Sequence, residues 1–178
     1  MAEYRIELEN IIADQLPEIL QKRYGTRYIV AAVRPGQPDP AGSEIDQPAL
    51  LIPEEVAETM EADQLSQWRG VMAHISTSST PDFIVIDSEN PTRRIVVDVE
   101  GSNPDSDVPY GVLDTVRSTN QYLRENETGY IFVSASGLPK DLEKKFLADG
   151  VMVVDGRNLE TAATRVAKAV DEVLRDTE

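Results

Sequence analysis

Three carboxylates have the types and spacing that could do chemistry. Asp82 precedes one apolar run, and Asp98 and Glu100 close the next. Alternation along a strand puts Asp98 and Glu100 on one face, with Val99 on the other. If the two runs pair as a hairpin, Asp82 lies across from that pair and three carboxylates converge at one end of a sheet. Convergent carboxylates repel one another and need a cation between them. Hard oxygen ligands of this kind suit Mg2+ or Mn2+. A metal so held can activate a water and stabilise the charge that builds on a phosphodiester in the transition state.

The elements that must position these groups are legible in the hydrophobic pattern. Phe83–Ile86 and Ile95–Val99 are β-branched runs joined by DSENPTRR, whose middle carries turn residues, which predicts a hairpin. Ahead of them, residues 4–24 read as a helix through Leu8, Ile12, Leu16, Ile19 and Leu20, with Gly25 as its stop and Pro17 either kinking it or opening its second half. Arg27–Val33 has the length of a strand. The stretch PGQPDPAGSEIDQP is a loop or linker, and between Arg34 and Arg69 stand eight acids and no base. Pro53 suits the first turn of a helix, and Val56, Met60, Trp68, Met72 and Ile75 give it a broken stripe. Downstream, Gly111–Glu125, Lys140–Ala148 and Leu159–Leu174 read as helices, and Tyr130–Val133 and Val151–Val154 as strands. A hairpin followed by two βα units predicts a single α/β domain over 1–178, a mixed sheet flanked by helices, with residues 35–80 as an acidic insertion.

Composition narrows the chemistry. The 178 residues contain no Cys and one His, which removes disulfide scaffolds, zinc knuckles, iron–sulfur sites, thiol nucleophiles and multi-histidine metal sites. No Gly-rich phosphate loop or dinucleotide fingerprint is present. The N-terminal stretch has neither a basic leader nor an apolar run, and no segment approaches the roughly 20 apolar residues of a membrane span, so a cytoplasmic location is expected. The formal charge of −15 argues against nucleic-acid binding by bulk electrostatics. With 5 Lys against 12 Arg, it fits either a halophilic, salt-adapted proteome or a basic protein partner for the acidic insertion.

Pro81-Asp82, a hairpin and then Asp98-Val99-Glu100 resemble the PD…(D/E)-x-K signature of restriction-endonuclease-like nucleases. The stretches GYIFVSASGLP at 129–139 and GVMVVDGRNL at 150–159 are similar to the Mrr-like branch, in which a strand ending in Ser or Thr is followed by a helix and a strand ending in "IDG..L". The resemblance covers about 81–160 together with the first helix and strand. It implies an αβββαβ core and Mg2+-dependent DNA cleavage, with Asp82 and Asp98 as metal ligands. Glu100 stands where the family usually has Lys, as a metal ligand or as the base that deprotonates water. A dimer suits such nucleases, because cutting two strands suits two sites.

Other residues have both a functional and a plain reading. Glu7 and Glu9 could add a carboxylate from the first helix, or form a solvated face. Arg117 and Gln121, four apart on one helix face, could reach the site and restore the positive charge missing at position 100, or be surface residues. Ser134, Ser136 and Gly137, ahead of a helix whose first turn has Lys140, could contact a phosphate or another small ligand, although capping explains Ser136 nearly as well. Arg93 and Arg94 read as turn charges that in a nuclease could meet the DNA backbone. Trp68 reads as a core or interface anchor, and His74 lacks the nucleophile elbow that would make its neighbouring serines a triad. The alternative function is a catalytically inactive nuclease-fold protein that acts as a protein-interaction module.

Overall fold

The structure is a computed structural model, and it describes residues 3–32, 82–90, 93–126 and 128–176, with Glu58, residues 61–63 and Ser66 between them. The element order is α1 (Glu3–Tyr24), β1 (Tyr28–Ala32), β2 (Phe83–Asp87), β3 (Arg94–Glu100), α2 (Gly111–Glu125), β4 (Thr128–Ser134), α3 (Lys140–Ala148), β5 (Met152–Asp155) and α4 (Leu159–Asp176). The expected helix after Pro53, Trp68, His74 and most of the acidic insertion lie outside the described residues.

The strands form one mixed sheet in the order β1-β2-β3-β4-β5. β1, β2 and β3 pair antiparallel, β2 and β3 across a short connection, and β3, β4 and β5 pair parallel through crossover helices α2 and α3. Strands covered on both faces read as continuous apolar runs, and β2 and β4 are buried along nearly their whole length for that reason. On one face Ile84, Val96, Tyr130 and Phe132 pack with Val116 and Leu123 of α2 and Leu142 and Phe146 of α3. On the other, Val85, Val97, Val99 and Val133 pack with α1 and α4. The result is a three-layer αβα sandwich.

In α1 the buried residues Leu8, Ile12, Leu16 and Leu20 recur every fourth position, one stripe on one face. The helix runs through Pro17 without a break. Gly25 then takes φ 67°, in the left-handed region that favours glycine, and its N–H bonds the Gln21 carbonyl at 2.8 Å. At the far end of the hairpin the fully buried Asp87 carboxylate receives two guanidinium bonds from Arg27, at 3.1 and 2.9 Å. That pair fixes the end of β2 opposite Asp82. Among the described residues no helix is long and apolar enough to cross a membrane.

Candidate functional site

The register of the hairpin decides where the carboxylates go. Phe83 pairs with Val97, so the next step outward sets Asp82 opposite Asp98. Asp82 is fixed there by its backbone, whose N–H bonds the Val97 carbonyl at 3.2 Å, and by its side chain, which accepts the Val99 N–H at 2.7 Å. Asp98 shares its sheet face with Tyr130 on β4. The Tyr130 hydroxyl donates to Asp98 Oδ2 at 3.2 Å, deep in the fold, and both residues are only 3% exposed. Asp98 Oδ1 is buried and meets no donor among the described residues. With Asp82 and Asp98 both ionised that oxygen has nothing to bind, whereas a single proton between the two would let them hydrogen-bond to each other.

Burial makes the charged forms expensive. It pushes Asp82 up to about 7. It also holds Asp98 well above the carboxylate range, with the charges of Glu100 and Asp82 adding to the effect. Tyr130 is raised by burial and by the same carboxylates. Glu100, half-buried at the last position of β3, is raised by burial and by Glu9, while Arg5 opposes the shift.

Arg5 and Glu9 come from α1. Arg5 Nε bonds Glu9 Oε1 at 3.0 Å, one helical turn on, and Arg5 Nη1 lies 3.6 Å from Glu100 Oε2. The first turn of α1 is pinned over this end of the sheet by the β5–α4 junction. The Tyr4 hydroxyl donates to the Gly156 carbonyl at 2.7 Å. Leu8 packs so closely on Gly156 that a Cβ there would stand 2.9 Å from its methyl. The small residue of the Asp155-Gly156 pair thus admits the helix that carries Arg5 and Glu9.

The expected residues divide accordingly. Asp82 and Asp98 come together. Glu100 reaches the same strand end, but its carboxylate is drawn to Arg5. Among the described residues no group of three or more acidic or histidine side chains is arranged to hold a metal ion. The residues that could hold a cation are the Asp82–Asp98 pair. Glu9 belongs to the cluster and acts on Asp82 and Glu100 by charge, whereas Glu7 is exposed. Arg117 does not supply the missing positive charge, because on the outer face of α2 its Nε pairs with Asp149 at 2.5 Å. Gln121, also exposed, bonds Glu125 at 3.2 Å along its own helix.

Ser134 and Ser136 are not offered to a phosphate. Ser134 Oγ donates to the Ser136 carbonyl at 2.6 Å, and Ser136 Oγ accepts from the backbone of Ser102 and Asn103 at 3.0 and 3.3 Å. Both side chains are buried because the segment after Glu100 folds back over them. The neighbouring cavity of about 210 Å³ is lined by Asp107, Glu143, Asp155 and Arg157. Asp155 holds the Arg157 guanidinium there through bonds of 3.0 and 2.9 Å. Lys140 is exposed at the start of α3. Arg94 is buried against Thr128, with Nε 3.0 Å from its hydroxyl, and Arg93 donates to the Leu174 carbonyl. Both line a cavity of about 560 Å³ at the other end of β3, away from the carboxylates.

Gly101 makes the reversal after Glu100 feasible. Its φ of 96° lies in the left-handed region, and a Cβ there would stand 2.6 Å from Ser136 Oγ. Gly101→Ala is expected to destabilise the fold by about 1–3 kcal/mol, read as a lower urea midpoint. An unchanged midpoint would show that the loop relaxes at no cost.

In comparisons with known proteins, no family model, no curated protein and no solved structure matches the chain.

Proposed function

We propose that the chain is a metal-dependent nuclease that hydrolyses phosphodiester bonds in DNA, with Mg2+ or Mn2+ held by Asp82 and Asp98. The observation that carries this reading is the buried carboxylate pair with an oxygen that no donor among the described residues reaches. Buried acceptors in folded proteins are nearly always satisfied, and two buried carboxylates offset their desolvation only against a cation or a shared proton. Two further facts support it. The α, β, β, β, α, β order of elements from α1 to β4 agrees with the order that the restriction-endonuclease-like resemblance implies. The cluster lies at the carboxyl ends of the parallel strands, where open α/β sheets take ligands.

Each residue then has a task. When bound, the cation supplies the Lewis acidity that polarises a phosphoryl group and makes water nucleophilic. Asp82 and Asp98 hold it. Tyr130 orients Asp98 through its hydroxyl. Glu100, two residues beyond Asp98 on the same strand face, would take the proton of the attacking water as general base. The charge of −15 gives no long-range pull on DNA, so contact depends on local bases.

The test is cleavage of supercoiled plasmid at low and high salt with Mg2+, Mn2+ or EDTA, beside calorimetric titration of Mn2+. Nicked or linear product in the metal lanes and none in EDTA is the expected result. A folded chain that neither binds Mn2+ nor cuts would refute the nuclease reading and return the function to a protein-interaction module on the same fold.

A further inference from the structure

We infer that Arg5 is the phosphate-binding residue of this site, and that it exchanges partners on substrate binding, leaving Glu100 for the scissile phosphodiester. The inference rests on the nuclease reading and goes beyond it by assigning a residue of α1 to the substrate.

Four carboxylates, Glu9, Asp82, Asp98 and Glu100, gather at one strand end, and among the described residues Arg5 is the basic group that acts on Asp82 and Glu100 there. Its guanidinium has a fixed end and a loose end. Nε is held by Glu9 at 3.0 Å, a good hydrogen bond that orients the plane. Nη1 meets Glu100 only at 3.6 Å, beyond hydrogen-bond length, and both side chains are partly exposed, at 31% and 24%. Such a pair is screened and easily broken. A phosphodiester offers two oxygens to a planar fork of donors, a better match than one distant carboxylate oxygen. As Arg5 turns to it, Glu100 is released on the same side as Asp98. The Tyr4–Gly156 bond and the Leu8–Gly156 contact hold the helix in place, so the exchange is a side-chain motion.

Arg5→Gln and Arg5→Lys separate the outcomes, read by Mn2+ calorimetry without DNA and by hydrolysis of bis(p-nitrophenyl) phosphate in Mn2+. Arg5→Gln removes a cation from beside the carboxylates, so Mn2+ is expected to bind several-fold tighter while hydrolysis falls roughly 100-fold. Arg5→Lys keeps the charge; its Mn2+ affinity is expected to stay near wild type and its hydrolysis within about tenfold, and it remains informative if the Gln variant fails to fold. Unchanged hydrolysis in Arg5→Gln, or unchanged Mn2+ affinity, would overturn the role. A wild type that binds no Mn2+ and cleaves nothing would instead remove the nuclease reading itself.

Discussion

Asp98→Asn is expected to yield a protein that melts higher than wild type in EDTA and no longer cleaves DNA in Mg2+ or Mn2+. The two halves have one cause. Asp98 is 3% exposed, and its ionised form faces burial, the charge of Asp82 across the hairpin and the charge of Glu100 two residues on. An amide of the same shape removes that charge. Its oxygen still accepts the Tyr130 hydroxyl, and its NH2 can donate to the Asp82 carboxylate, replacing a repulsion by a hydrogen bond. We expect a gain of about 1–2 kcal/mol in metal-free stability, the size of a satisfied buried polar group. Catalysis should fall by about three orders of magnitude, because a neutral amide is a poor ligand for a hard cation. Stability gained together with activity lost marks a residue held in a costly state for function. Cleavage at wild-type rates by Asp98→Asn would end the assignment of Asp98 as a metal ligand. A lower melting point would mean that the pair is already satisfied by a shared proton that the amide cannot replace.

Much of this was legible in the sequence, for reasons that differ by element. The strands read correctly because parallel and central strands are buried on both faces, so β2 and β4 are runs of Ile, Val and Phe that no amphipathic helix would carry. The meeting of Asp82 with Asp98 was readable because it depends on one hairpin register, a local property of 17 residues. The company of Glu100 was not. Arg5 lies 95 positions earlier, and only the docking of α1 on Gly156 brings it to the strand end. Its one sequence trace is its position one turn before Glu9. Arg117 looked the better source of positive charge because it lies on the helix that follows the acidic strand, but the outer face of that helix turns to Asp149. The serines at the end of β4 failed for a related reason. A Ser-rich strand end before a helix resembles an anion loop, yet the turn at Gly101 brings the backbone N–H groups of Ser102 and Asn103 onto Ser136 Oγ and consumes its acceptor. Local pattern fixes where a side chain starts, and tertiary packing fixes what it meets.

The second large effect expected is a loss of metal-free stability as pH rises, reversed by metal. Burial pushes Asp82 from its ordinary 3.8 up to about 7. Below about pH 4 the carboxyl is protonated in the folded and unfolded chains alike, and its contribution is fully present. Between about pH 4 and 7 the unfolded chain releases the proton while the native chain keeps it, so the native state binds more protons and stability falls with each unit. One proton over one unit is worth about 1.4 kcal/mol. Discounted for partial exposure and for the coupling to Asp98, the window contributes about 2–4 kcal/mol. Asp98 and Glu100 are raised too and add to the loss as pH rises, whereas Asp155, lowered by Arg157, titrates below this window. The informative quantity is therefore the difference between wild type and Asp82→Asn. In urea unfolding with EDTA at pH 4.5 and 7.5, wild type is expected to lose more stability than the variant by that amount. Saturating Mn2+ at pH 7.5 replaces the proton that the pair lacks, and at 100 times its dissociation constant should restore about 2.7 kcal/mol to wild type and little to Asp82→Asn. Parallel pH profiles for the two proteins would show that Asp82 titrates as an ordinary surface acid, and with that the physical reason for a cation at this strand end would be gone.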